Sequence, residues 1–138
     1  MSARRTARLC ALLACTGALL PSQAKAFDLN GAWATNADQC SKIFVKKGNQ
    51  ISFARFSDEF GGGFVADDKA IRGSAAHCVI KSRKEIGDSI ELRALCASDI
   101  MTSAIELHLK IVDQDNISRI FTDPDMTGMQ LSYSRCAM

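Results

Sequence analysis

Hydrophobic and polar residues alternate with a period of two over most of the chain beyond residue 27. Ile105, Leu107, Leu109 and Ile111 alternate with Glu106, His108 and Lys110. Ile90 and Leu92 alternate with Glu91 and Arg93, and Met129, Leu131 and Tyr133 with Gln130, Ser132 and Ser134. Successive side chains of a strand point to opposite faces, so this pattern predicts half-buried antiparallel strands. Turn residues separate the runs. Gly48-Asn49, between Phe44-Val45 and Ile51-Ser52-Phe53, has the chemistry of a two-residue hairpin loop. Glu85-Ile86-Gly87-Asp88, Asp113-Gln114-Asp115-Asn116 and Asp123-Pro124-Asp125 mark further turns. Strands are predicted near 30–34, 43–47, 50–56, 63–66, 70–74, 76–83, 89–96, 102–112, 117–121 and 129–136, some merging to leave about eight or nine. Asn36 is placed to cap one short helix, with Gln39 returning the capping-box bond and Ala37, Cys40 and Ile43 near one face. The predicted fold class is all-β: an antiparallel up-and-down barrel of about eight strands, with a β-sandwich as the alternative.

The first 26 residues break this pattern. Arg4, Arg5 and Arg8 precede an apolar run from Leu9 to Leu20, Pro21 ends it, and Ala24-Lys25-Ala26 has the A-x-A form of a cleavage site. The run is shorter than the roughly 20 residues that span a bilayer. Residues 1–26 therefore read as a cleaved signal peptide and 27–138 as one mature domain, periplasmic or secreted, with no stable membrane insertion after cleavage. A lipobox reading of Leu12-Leu13-Ala14-Cys15 competes, but the tether it would leave, starting Thr16-Gly17-Ala18-Leu19-Leu20, is too apolar for a flexible linker. Cleavage changes the charge. Four of the 17 basic residues leave and all 15 acidic ones stay, so the +2 of the whole chain becomes −2. Nothing then points to nucleic acid or an anionic membrane as partner.

Cysteine usage agrees with export. The mature chain keeps Cys40, Cys78, Cys96 and Cys136, an even number in an oxidising compartment, which predicts two disulfides. A hairpin centred on Ile86 brings Cys78 close to Cys96 with a small register shift, leaving Cys40 for Cys136. A zinc site fits less well, because there is no C-x-x-C and His77 sits beside Cys78, where neighbours face opposite ways.

Candidate chemistry is sparse. His108 lies on the polar side of its strand, and no serine sits in a G-x-S-x-G elbow. Gly61-Gly62-Gly63 precedes no helix and so reads as a mobile hairpin tip rather than a phosphate cradle. Asp123, Asp125, Thr127 and Gly128 resemble the start of a calcium loop, but Ser134 stands where a bidentate glutamate is needed. Asp67-Asp68 reads as a charged turn, and Asn116-Ile117-Ser118 as an incidental glycosylation sequon. No catalytic, cofactor or metal-binding residue is assigned, and the chain is not expected to be an enzyme.

Trp33 is the single tryptophan, in Leu29-Asn30-Gly31-Ala32-Trp33, and Arg135 is a lone charge on the apolar parity of the last strand. On these residues the chain resembles the lipocalin-like (calycin) barrels. That resemblance implies that Trp33 plugs one barrel end while Arg135 packs across its indole. Within that superfamily the early G-x-W followed by Cys40 is similar to small secreted bacterial metalloprotease inhibitors. In those, the N-terminal segment, here Phe27-Asp28-Leu29, contacts the protease; the second cysteine pair departs from that family's single disulfide. The expected function is a non-catalytic binding protein, with a hydrolase inhibitor as its sharper form and loops 57–63 and 123–128 as contacts. The alternative is a carrier of a small apolar ligand in the barrel interior, lined by Phe44, Phe53, Phe56 and Phe64.

Overall fold

The computed structural model describes residues 24–138. The predicted n-region, apolar run and Cys15 lie outside the described residues. The strands are β1 (Gly31–Ala34), β2 (Phe44–Lys47), β3 (Gln50–Phe53), β4 (Gly63–Ala66), β5 (Ala70–Arg72), β6 (His77–Ile86), β7 (Ser89–Ala97), β8 (Thr102–Ile111), β9 (Asn116–Ile120) and β10 (Gln130–Arg135). Eight of them close an antiparallel barrel in the order β1-β10-β9-β8-β7-β6-β5-β4, and β2 and β3 form a separate hairpin. The sandwich alternative is thereby set aside. Closure runs through β1, whose Trp33 is the ladder partner of both Phe64 and Arg135.

Alternation decides what the barrel holds. Ile90, Leu92, Ala94 and Cys96 of β7 and Leu107 and Leu109 of β8 face inward, where they form one core with Trp33, Ala66, Ile71, Cys78 and Ile117. Polar residues between them, such as Glu91, Arg93, Glu106 and Lys110, face out. The β6–β7 hairpin turns over Gly87-Asp88, between the paired Ile86 and Ser89. Gly87 takes φ +59°, a left-handed conformation that suits glycine. A bulge at Lys81 shifts the register by one, from Ser82↔Arg93 to Ile80↔Ala94. That shift sets Cys78 opposite Cys96, and the two are disulfide-bonded, as are Cys40 and Cys136. Both pairings are those expected from the sequence.

The β2–β3 hairpin lies outside the barrel and makes a second core. Ile43 and Phe44 pack on Ala32, Ala34 and Val65, the outward residues of β1 and β4, together with Cys136. Alanine at 32 and 34 leaves room for this approach, and Gly63 is forced by it. A Cβ there would meet the Trp33 carbonyl at 2.5 Å and the Phe44 ring at 2.8 Å. Phe44 and Phe53 therefore line the outer core instead of the barrel interior, and Phe56 is exposed; only Phe64 faces inward. The helix is a 3₁₀ turn, Ala37–Gln39, running into one α-turn, α1 (Cys40–Ile43). Asn36 caps it by accepting from the Asp38 N–H, as expected. Gln39 does not return the bond: the tight 3₁₀ turn ties its N–H to the Asn36 carbonyl, and its Oε1 is buried without a hydrogen-bond partner among the described residues.

Candidate functional site

The two ends of the barrel differ in kind. One end is shut by Trp33 and by residues 27–30, a segment without regular secondary structure. Trp33 is wholly buried, and its ring neighbours Phe27 at 6.2 Å and Phe64 at 6.3 Å between centroids. The Arg135 guanidinium carbon lies 4.3 Å from the centre of the indole, the packing that the resemblance to lipocalin-like barrels implies. Four successive backbone carbonyls of the segment are each taken by a side-chain donor. Arg83 donates to Phe27, Arg135 Nη2 to Asp28 at 2.6 Å, Trp33 Nε1 to Leu29 at 2.9 Å and Arg135 Nη1 to Asn30 at 2.5 Å. A strand would have met these groups with a ladder; here three long side chains do so. Phe27 is thereby half-buried and Leu29 buried.

The other end holds a cavity of about 200 Å³. Phe64, Ile71, Ile105, Leu107, Leu109 and the Cys78 sulfur supply most of its wall; Gly63, Gly73 and Ala76 narrow the rim. Two polar side chains enter it, Arg119 and Tyr133. Arg119 shares the inward parity of Ile117 on β9, pairs across the ladder with Leu109 and Leu131, and stacks its guanidinium 4.5 Å from the Phe121 ring centre. It takes part in no ion pair among the described residues. Tyr133 packs edge-on against Phe64 at 5.0 Å. Burial pushes its hydroxyl above the usual tyrosine range, against the opposing pull of Arg119 beside it, so it stays a neutral donor at neutral pH. An apolar chamber with one cation and one phenolic donor in its lining is chemically complementary to a small molecule that is mostly carbon and carries a negative group.

Other residues singled out from the sequence lie elsewhere. His77 is exposed at the start of β6 opposite Arg72 and Ala97, and His108 lies on β8 opposite Glu91 and Ile120, both on the outward parity. Asp67 caps the turn into β5, accepting from the Lys69 and Ala70 N–H groups, which makes it the charged turn expected. Thr127 turns its hydroxyl onto the Asp123 and Pro124 carbonyls. Among the described residues no group of three or more His, Cys, Asp or Glu is placed to hold a metal. Asn116 is engaged with Asp113 and Ser134. Arg119 was missed in the sequence, although a lone arginine on the parity of Ile117 and Phe121 is the same signal that exposed Arg135. Compared with protein-family models, curated proteins and solved structures, the chain matches none of them.

Proposed function

We propose that this chain is an exported, non-catalytic binding protein of lipocalin-like design whose ligand is a small apolar anion held at the open barrel end. Two disulfides fit an oxidising compartment, and no helix among the described residues is long and apolar enough to cross a membrane. The observation that carries the reading is Arg119, an inward cation without a carboxylate partner among the described residues, in the lining of an apolar cavity. Size narrows the ligand. A cavity of 150 Å³ is known to take benzene, and drug-sized ligands need roughly 300 Å³ or more. The 200 Å³ here fits a substituted benzene ring and excludes a long acyl chain. At about 0.5–0.8 kcal/mol per heavy atom, a nine-atom ligand binds with a Kd of about 5 to 500 micromolar. Benzoate and benzyl alcohol, titrated into ¹⁵N-labelled protein, test this. Benzoate should shift the Leu107, Leu109, Arg119 and Tyr133 amides, and Arg119→Gln should weaken it about tenfold without changing benzyl alcohol. No shift at these residues with either probe refutes the proposal.

The protein-partner reading keeps one observation of its own. Phe56 has φ +60° and is 59% exposed, with Arg55 stacked on its ring at 4.8 Å. A bulky residue held left-handed and exposed is a mark of functional loops. Phe56 immediately precedes loop 57–63, one of the contacts in a hydrolase-inhibitor reading. Inhibition of a secreted hydrolase that is lost in Phe56→Ala supports it, and no inhibition across a metalloprotease panel counts against it.

A further inference from the structure

The barrel floor holds the backbone of Phe27 between two side chains of β6. The Phe27 N–H lies 3.3 Å from Glu85 Oε2, and its carbonyl accepts from Arg83, which also grips Glu85 Oε1 through its Nε at 2.9 Å. Both side chains are 27% exposed and share the inward parity at the end of β6, opposite Leu92 and Ile90. The position matters because Ala24-Lys25-Ala26 is the predicted cleavage site and Phe27 the residue it frees. Residues 24–26 are exposed, and burial begins at Phe27.

We infer that cleavage after Ala26 creates the ion pair that locks the barrel floor: the new Phe27 α-ammonium binds the Glu85 carboxylate. The inference rests on the reading of residues 1–26 as a cleaved signal. Before cleavage the Phe27 nitrogen is a neutral amide and offers Glu85 one N–H. Afterwards it offers a full charge and three donors at the same point. The charges around it accommodate the change. Arg83, Arg135 and Lys25 face the segment with Glu85, Asp28 and Asp115, three positive groups against three negative before cleavage. Cleavage removes Lys25, and the α-ammonium replaces its charge. The remaining contacts, from Arg135 to the Asp28 and Asn30 carbonyls and from Trp33 to Leu29, hold the segment in register whether or not it is cut.

An ordinary α-ammonium titrates near 7.7–8.0. Pairing with Glu85 raises it by about one pH unit, which is a tenfold gain in the folding equilibrium constant. A folded-state value above the unfolded one gives stability that is fully present below about pH 7.7 and is lost as pH rises through the raised folded value. The test uses protein exported through its own signal. Intact mass first establishes the start at Phe27. A start elsewhere overturns the cleavage reading and the lock with it. Given that start, NMR titration of ¹⁵N-labelled protein should place the Phe27 α-ammonium above its ordinary range, and the folding equilibrium constant from urea unfolding should fall about tenfold between pH 7 and 10. Glu85→Gln should return the group to its ordinary range. A second variant, retaining Ala26 as one extra residue, leaves the Arg83–Glu85 pair whole and should lose the same pH dependence. A Phe27 α-ammonium titrating at 8 or below in the correctly cleaved protein, with an unchanged pH profile in both variants, overturns the lock and leaves the cleavage reading intact.

Discussion

Replacing Trp33 and Arg135, singly and together, tests whether the barrel floor is one unit. Trp33→Ala deletes a side chain with no exposed surface and should cost about 3–5 kcal/mol, the range for large aromatic truncations. Arg135→Ala removes donors to the Asp28, Asn30 and Gln114 carbonyls and uncovers the indole. Charged donors are worth about 1.5–3 kcal/mol each when dry, but the Arg135 side chain is 22% exposed and water replaces part of the loss. The expected cost is therefore about 2–3 kcal/mol. The two residues touch at 4.3 Å and hold the same segment, so the double variant should cost about 1–2 kcal/mol less than the sum. A domain of this size has roughly 6–17 kcal/mol of stability, which exceeds the cost of either single variant. Unfolding in urea under non-reducing conditions, followed by far-UV circular dichroism, gives the four free energies; fluorescence does not serve, because Trp33 is the only tryptophan. Additivity within about 0.3 kcal/mol would refute the coupling and reduce Trp33 and Arg135 to independent neighbours.

Gly63→Ala should lower stability by about 1–3 kcal/mol, read as a fall in thermal midpoint, since its Cβ would strike the Trp33 carbonyl and the Phe44 ring. Opening the Cys40–Cys136 bridge by paired serine substitution should cost about 4–5 kcal/mol, against about 3 for Cys78–Cys96, because it spans 96 residues rather than 18. A larger loss at Cys78–Cys96 would invert the chain-entropy argument. Asp113 accepts from the Asp115 N–H and the Asn116 side chain, which hold its carboxyl below the ordinary range. Its contribution is therefore present above the unfolded value of about 3.9 and lost as pH falls through the folded one; a ¹³C titration showing an ordinary midpoint would contradict this.

The sequence showed the barrel strands because most bury only one face. From β6 to β10 the boundaries predicted from alternation lie within a few residues of those observed, and the seam between Trp33 and Arg135 was visible as a charge on an apolar parity. Three things were hidden, each for a physical reason. The Lys81 bulge adds one residue without any mark in composition, yet it moves Arg83 and Glu85 to the inside. Phe44 and Phe53 are apolar in either core, and nothing local says that their hairpin packs outside the barrel. Residues 27–30 have no period at all, because their partners are side chains far along the chain, Arg83, Glu85 and Arg135 among them.

The seam between β1 and β10 also sets a clock. Residues 31–34 appear early in synthesis, but their partners at 134–135, and the Cys136 that bonds Cys40, come at the very end. At about 5–20 residues per second the first strand waits roughly 5–20 s for its neighbour. Local hairpins such as β6–β7 close in microseconds and so exist long before the ring does. Throughout that interval the edges of β1 and of the latest strand are open to other chains, which makes a truncated or stalled chain the form most exposed to aggregation. Only when the last few residues arrive does the sheet lose its edges.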